Sequence, residues 1–449
     1  MRFLLILTAL ALFSDASAQD AGWTSLFNGR DLDNWVQRNG TATYRIEDGA
    51  IVGVSVQNTP NSFLCTRETY GDFILEFEVQ IDPLLNSGVQ IRSESYEAYQ
   101  NGRVHGYQIE LDPSPRAWTA GIYDEARRGW LYSLTRNEPA QRAFKQGTWN
   151  AIRIEAIGST IRTWINGVQA AHVVDDLTPA GFIALQVHQI GSAEQAGKTI
   201  RWRNIRIKTD HLAAASWPSD PTVPAFSYLA NTLTDDEARK GWRLLWDGET
   251  TAGWRSAGGD AFPAAGWAFD DGILRTTGGG GDLVTDAVFT SFELEFDFRL
   301  DAPAANSGVK YAYGAYESPD GPAQLGLEYQ LIDDRGYAAA HDGIPPYGTL
   351  ASLYDIIPAG NVSLPGGGRR FNGVGQWNRA RIVVDGDHGE HWLNNELIVA
   401  FDRDSPLFDA LVGRSKFAPY ADFGKKPGRI LLQDHGDPAS FRSIKIREW

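Results

Sequence analysis

Two short polar segments in the second half of the sequence hold the residue types that acid–base chemistry needs. In Gly326-Leu-Glu-Tyr-Gln-Leu-Ile-Asp333, Glu328 and Gln330 stand two residues apart. Side chains alternate along a strand, so both project to one face while Leu327, Tyr329 and Leu331 take the other. Gln433 and His435 repeat that spacing. Polar groups facing into a sheet's concavity are costly unless they bind something. A carboxyl group and an imidazole around one space are the usual partners in general acid–base catalysis. His391, before Trp392, adds a second imidazole, and Tyr354 adds a phenol. Glu and His are also ligand types for a divalent metal ion, which is therefore a candidate cofactor.

The first half carries an altered version of the same set. In Gly106-Tyr-Gln-Ile-Glu-Leu-Asp112, alignment puts Gln108 against Glu328 and Glu110 against Gln330, so acid and amide are exchanged. Gln186 and His188 match Gln433 and His435, and Tyr123 matches Tyr354. Thr163 stands where the second half has His391, and Arg92 where it has Ala312. The candidate catalytic residues are thus Glu328, His435 and His391, with Glu110 and His188 in the first half. Gln330, Gln433, Tyr354, Arg92, Gln108, Gln186 and Tyr123 are candidate substrate contacts. The competing reading is structural: the glutamines pair with backbone at a sheet edge and His435 is a satisfied core histidine.

The elements that position these residues occur twice. Gly22-Trp-Thr-Ser-Leu-Phe-Asn-Gly29 matches Gly241-Trp-Arg-Leu-Leu-Trp-Asp-Gly248, and Phe73–Asp82 matches Phe292–Asp301, both at an offset of 219. Asn86-Ser-Gly-Val89 and Asn306-Ser-Gly-Val309 follow, then paired Trp-Asn, Trp-x-Asn and Gln-x-His segments at rising offsets. The second copy therefore carries loop insertions. Phe73, Leu75, Phe77 and Val79 alternate with more polar residues, the period-two pattern of a half-buried strand. Asn166-Gly167 is a strong hairpin-turn signal. Many short strands separated by turns predict an all-β chain of two tandem β-sandwiches. The predicted domains are residues 20–210 and 240–449. A Pro-rich linker with a short helix spans 211–239, with Thr234 and Glu237 forming a capping box.

The opening GWxxLFNGxxLxxW, the Asn-Ser-Gly strand, the polar strand containing Tyr and Gln, the Trp-Asn strand and the terminal Gln-x-His resemble the 3-keto-disaccharide hydrolase domain family. The resemblance covers nearly all of 20–208 and 240–449. It implies a concanavalin-like jelly roll in each copy. It also implies cleavage of glycosides already oxidised at C3. A C3 ketone acidifies the C2 proton; a base removes it, and the resulting enolate expels the C1 group. That route needs a base, an acid for the leaving oxygen and an enolate stabiliser, which is either a metal ion or cationic donors. An oligosaccharide or glycoside substrate makes Trp118, beside the first polar loop with Trp130, a candidate stacking contact. The rival readings are a non-catalytic carbohydrate-binding or cell-surface interaction protein on the same sandwich, and a conventional glycosidase using two carboxylates.

Composition narrows the setting. The net charge of −15 and the lack of a long basic run argue against nucleic-acid binding. Residues 1–18, with Arg2, an apolar run from Phe3 to Phe13 and Ala16-Ser-Ala18, predict a signal peptide and an exported protein, periplasmic or extracellular. No membrane span is predicted, because no apolar run reaches the roughly 20 residues required. Cys65 is the only cysteine, lies in an apolar run and is expected to be buried.

Overall fold

The computed structural model describes residues 22–360 and 371–449; the predicted signal peptide lies outside them. Among the described residues, the first copy forms sheets of nine and seven strands, and the second forms sheets of eight and five. Each pair encloses one apolar core. In the first, Phe73, Leu75, Phe77 and Val79 of one sheet meet Val89, Ile91, Tyr107 and Ile109 of the other. In the second, Phe292, Leu294, Phe296 and Phe298 meet Val309, Tyr311, Leu327 and Tyr329. Side-chain alternation puts every second residue of these strands inside, as the sequence pattern requires. No helix among the described residues is long and apolar enough to cross a membrane.

The smaller sheet of each sandwich carries the polar strands. In the first copy, Ser87–Glu94 lies between His105–Leu111 and Phe182–Val187. In the second, Asn306–Tyr316 lies between Ala323–Ile332 and Arg429–Leu432. Register fixes the correspondence: Gly88 faces Glu110 and Gln90 faces Gln108, while Gly308 faces Gln330 and Lys310 faces Glu328. The acid and the amide have therefore changed places on one framework. Gly88 and Gly308 leave room for this, since a Cβ there would meet the side chains of Gln108 and Glu328 within 2.4 and 2.5 Å. The first copy extends its sheet with Ile122–Glu125 and Gly129–Tyr132. At the matching place the second copy has only an isolated bridge between Tyr329 and Leu353.

The linker is built into the structure. Phe226–Ser227 pairs in parallel with Val168–Val174 and so joins the first copy's larger sheet. Thr234 caps the helix Asp235–Arg239 and forms the predicted box with Glu237. The helix lies on the second copy, where Glu237 meets the buried Lys445. The expected polar outer face of Phe292–Leu300 is consequently buried. Glu293, Glu295 and Asp297 sit beneath the linker, matched by Arg381, Arg447, Lys445 and Arg379. Burial alone would raise the Glu295 carboxyl; Lys445, Arg379 and Arg381 instead hold it down at about 2.

Candidate active site

In the first copy the polar strand faces a cavity of about 350 Å³. Glu110 lies in its wall, almost fully buried. Asn86 donates to Glu110 Oε1 at 2.7 Å, and Gln108 Nε2 donates to Oε2 at 3.0 Å. Gln108 is itself locked: Gln90 and Gln186 both donate to its Oε1, at 2.6 and 2.9 Å. With its carbonyl held by two donors, only the Gln108 amino group is left to face the carboxyl. The Arg116 guanidinium stands 3.5 Å from Glu110 Oε1 and is anchored by Asp112 at 2.7 Å. Burial pushes the Glu110 carboxyl up to about 7 against the opposing pull of Asn86, Arg116 and Gln108. That places it where a general base works best at neutral pH.

Other groups complete the cavity wall. His188, half-buried, lines it, with Nδ1 2.7 Å from the carbonyl of Gln189. A carbonyl only accepts, so Nδ1 carries a proton and Nε2 is the ring nitrogen left for a ligand. Tyr123 and Trp130 add aromatic surface, and Arg103, paired with Glu125 at 3.2 Å, adds a further cation.

The second copy places a different set on the same strands. Glu328 is buried and 3.7 Å from Lys310 Nζ. Burial pushes its carboxyl up, opposed by Lys310 and Lys416. Lys416, from an inserted loop, stacks over Tyr354 at 4.3 Å. Asp282, also pushed up by burial, feels both Lys310 and His435. Gln330 donates to Asn306 at 2.9 Å, where the first copy has Asn86 donating to Glu110. Asn306 in turn lies 3.5 Å from the exposed His435. Gln330 Oε1 and Gln433 Oε1 are buried without a partner. Among the described residues, no group of three or more His, Cys, Asp or Glu in either copy is arranged to hold a metal ion. The cations beside the carboxyls are Arg116 and Lys310.

The model of the 3-keto-alpha-glucoside-1,2-lyase-like domain matches residues 22–208 and again 241–447. The chain belongs to this family. A 3-keto-disaccharide hydrolase from Bacteroides thetaiotaomicron is 31% identical over 235 residues, 46% of this chain and 78% of that relative. Two solved structures from Parabacteroides distasonis ATCC 8503, described as candidate glycosyl hydrolases, are also similar. One is 28% identical, covering 49% of this chain and 99% of its own, with a TM-score of 0.43. The other is 23% identical, covering 46% and 99%, with a TM-score of 0.34.

Within this two-copy member of the family, three expected site residues lie elsewhere. His391 is fully buried in the second core, between the Tyr311 hydroxyl at 2.8 Å and the Ala351 carbonyl at 3.2 Å. Thr163 does the same work in the first copy, donating to the Ala120 carbonyl at 2.6 Å. His391 is therefore a core hydrogen-bonding group, and desolvation lowers it to about 4. Arg92 has φ +44 at a strand bulge, as Ala312 has φ +49. The bulge turns its guanidinium into a buried tie to the carbonyls of Gly71 and Gly158, both at 2.8 Å, and to Asp72 at 3.0 Å. Trp118 is buried edge-on behind Trp130, so Trp130 is the indole that lines the cavity. Gln186 reaches the site only through Gln108. Cys65 is buried among Phe63, Val104 and Phe182, and desolvation pushes its thiol up to about 12.

Sequence reasoning missed Asn86, Gln90, Arg116, Asp282, Lys310 and Lys416. Gln90 and Lys310 had a usable signal, because each stands two residues after the Gly of Asn-Ser-Gly and shares its face. The Asn of that motif reads as turn chemistry, which hid its bond to the carboxyl. Arg116 and Lys416 come from loops and carry no periodic signal.

Proposed function

We propose that the chain is an exported enzyme that cleaves 3-keto-glycosides by proton abstraction at C2 and elimination at C1, with its reaction centre in the first copy. The observation that carries this reading is Glu110: a buried carboxyl at about 7, fixed by two amide donors in the wall of a cavity that it shares with an imidazole and a guanidinium. The family and the 3-keto-disaccharide hydrolase relative supply the substrate class.

Glu110 takes the C2 proton, and the C–H electron pair moves into the C3 ketone as an enolate. Arg116 is the nearest cationic donor for that developing charge. The pair then returns to form the C1–C2 double bond as the C1–O bond breaks. The imidazolium form of His188 delivers its Nε2 proton to the departing oxygen and keeps the Nδ1 proton on the Gln189 carbonyl. Addition of water across the new double bond completes a net hydrolysis; release before that makes the enzyme a lyase. Tyr123, half-buried in the cavity wall, offers an aromatic face to the sugar ring. The second copy meets the same position with the neutral Gln330 and is proposed to bind or process a different glycoside. The leader at residues 1–18 supports a periplasmic or extracellular location.

The test is incubation with a 3-keto-disaccharide and with its unoxidised parent. The reading expects cleavage of the ketone only, with solvent deuterium entering C2. Cleavage of the parent alone would point to a conventional glycosidase, and cleavage of neither would point to a binding protein.

A further inference from the structure

A hollow in the first copy lies on the opposite sheet, away from Glu110. It has a volume of about 700 Å³ and is lined by Trp23, Trp164 and Trp217 over a floor that includes Glu76, Arg153 and Arg206. A second hollow of about 470 Å³ adjoins it and shares Trp164, Gly167 and Trp217. Trp217 is 38% exposed between them, held in place by its backbone N–H, which donates to Glu155 at 2.8 Å. It packs edge-on against Trp164 at 5.6 Å and beneath Arg153 at 4.6 Å.

In the second copy the corresponding face is a packing surface within the chain. In the second copy Trp242 and Trp392 stand where the first has Trp23 and Trp164. That face is closed by protein. Arg136 of the first copy covers Trp392, Asn231 pairs with Ser443 at 2.8 Å, and Glu237 reaches Lys445. The first copy leaves part of the matching face open, with linker residues Trp217 and Ser219 laid against Glu155 and Arg162.

Its chemistry defines the occupant. Arg153 pairs with Glu76 and Glu155, and Arg206 with Glu76 at 2.7 Å, so the floor is charge-balanced within itself. A charged ligand would have to break those pairs, whereas a neutral one would not. Indole faces favour the C–H faces of sugar rings. In the adjoining hollow the buried Gln169 accepts from Asp220 N–H through Oε1 but has no partner for Nε2. That leaves a free amide donor suited to a hydroxyl or ring oxygen. We infer that the outer face of the first copy is a second carbohydrate site, a groove between Trp23 and Trp217 that holds a neutral oligosaccharide outside the reaction centre.

Isothermal titration of the full chain with cellohexaose, maltohexaose and xylohexaose, with hexagalacturonate as the anionic control, tests this. Binding of at least one neutral hexaose is expected, and it should be unchanged in Glu110→Gln. Trp217→Ala and Trp23→Ala should each weaken it roughly tenfold, with cleavage of a 3-keto-disaccharide and the circular dichroism spectrum unaltered. Two indole variants keep the test valid if one fails to fold. Absence of binding by the wild type, equal binding by both indole variants, loss of binding in Glu110→Gln, or preference for hexagalacturonate would each overturn the inference. So would a concentration-dependent dimer in light scattering that Trp217→Ala abolishes, because the groove would then hold a second copy of the chain.

Discussion

Replacing Asn86 by Ala removes one of the two amide donors that favour the charged form of Glu110, and the direction of the result follows from the geometry. Burial raises the Glu110 carboxyl to about 7, and the Asn86 bond at 2.7 Å is first among the influences that pull it back. A hydrogen bond to a charged group contributes roughly 1.5–3 kcal/mol, and one pKa unit corresponds to about 1.4 kcal/mol. Loss of the bond therefore moves the carboxyl upward by about one to two units. Glu110 acts as a base only when ionised, so the rising limb of kcat/KM against pH for a 3-keto-disaccharide moves from near 7 toward 8 or 9. Activity falls about five- to fiftyfold at pH 7 and returns at high pH. Asn86→Asp would move the limb upward as well, by adding a like charge. An Asn86→Ala profile that keeps its midpoint, or moves to lower pH, would refute the assignment of Glu110 as the base held by Asn86.

Three further outcomes follow. His391 is buried and neutral, lowered to about 4 from an unfolded value near 6.5. Its contribution to stability is present above pH 6.5 and is lost as pH falls through 4, on the order of 3 kcal/mol in all. Urea unfolding of His391→Phe should show a shallower loss between pH 6.5 and 4 than the wild type, with cleavage at pH 7 retained. Trp130→Ala, which opens the cavity wall, should raise KM for a 3-keto-disaccharide by roughly tenfold while leaving the kcat midpoint in pH unchanged. Overnight dialysis against EDTA should leave cleavage at its starting rate, because the cations at the carboxyls are Arg116 and Lys310.

The scaffold was more legible in the sequence than the site. Alternation in Phe73–Ile81 and the repeated Trp, Gly and Asn landmarks specify strands and their order, because burial acts on every second residue. The exchange of Glu110 with Gln330 was also readable, since register follows from the same period. Arg92 was misplaced because a bulge with positive φ breaks that period and turns its side chain away from the cavity into a buried tie. His391 was misplaced because the pattern allows a polar residue inside a core when a carbonyl and a hydroxyl await it. Residue type alone does not show that Thr163 fills the same role. The buried acids of Phe292–Leu300 depended on where the linker lies, which strand periodicity does not encode.

The central claim is that one copy holds the reaction centre, and it rests on a single carboxyl. The most direct measurement is the rate of 3-keto-disaccharide cleavage by Glu110→Gln and, separately, by Glu328→Gln, each compared with the wild type at its optimal pH. Loss of a general base costs about 10²–10⁴-fold. Glu110→Gln is predicted to lose that much, while Glu328→Gln stays within about threefold. The reverse pattern, with Glu110→Gln near wild type and Glu328→Gln inactive, would contradict the account and move the chemistry to the second copy.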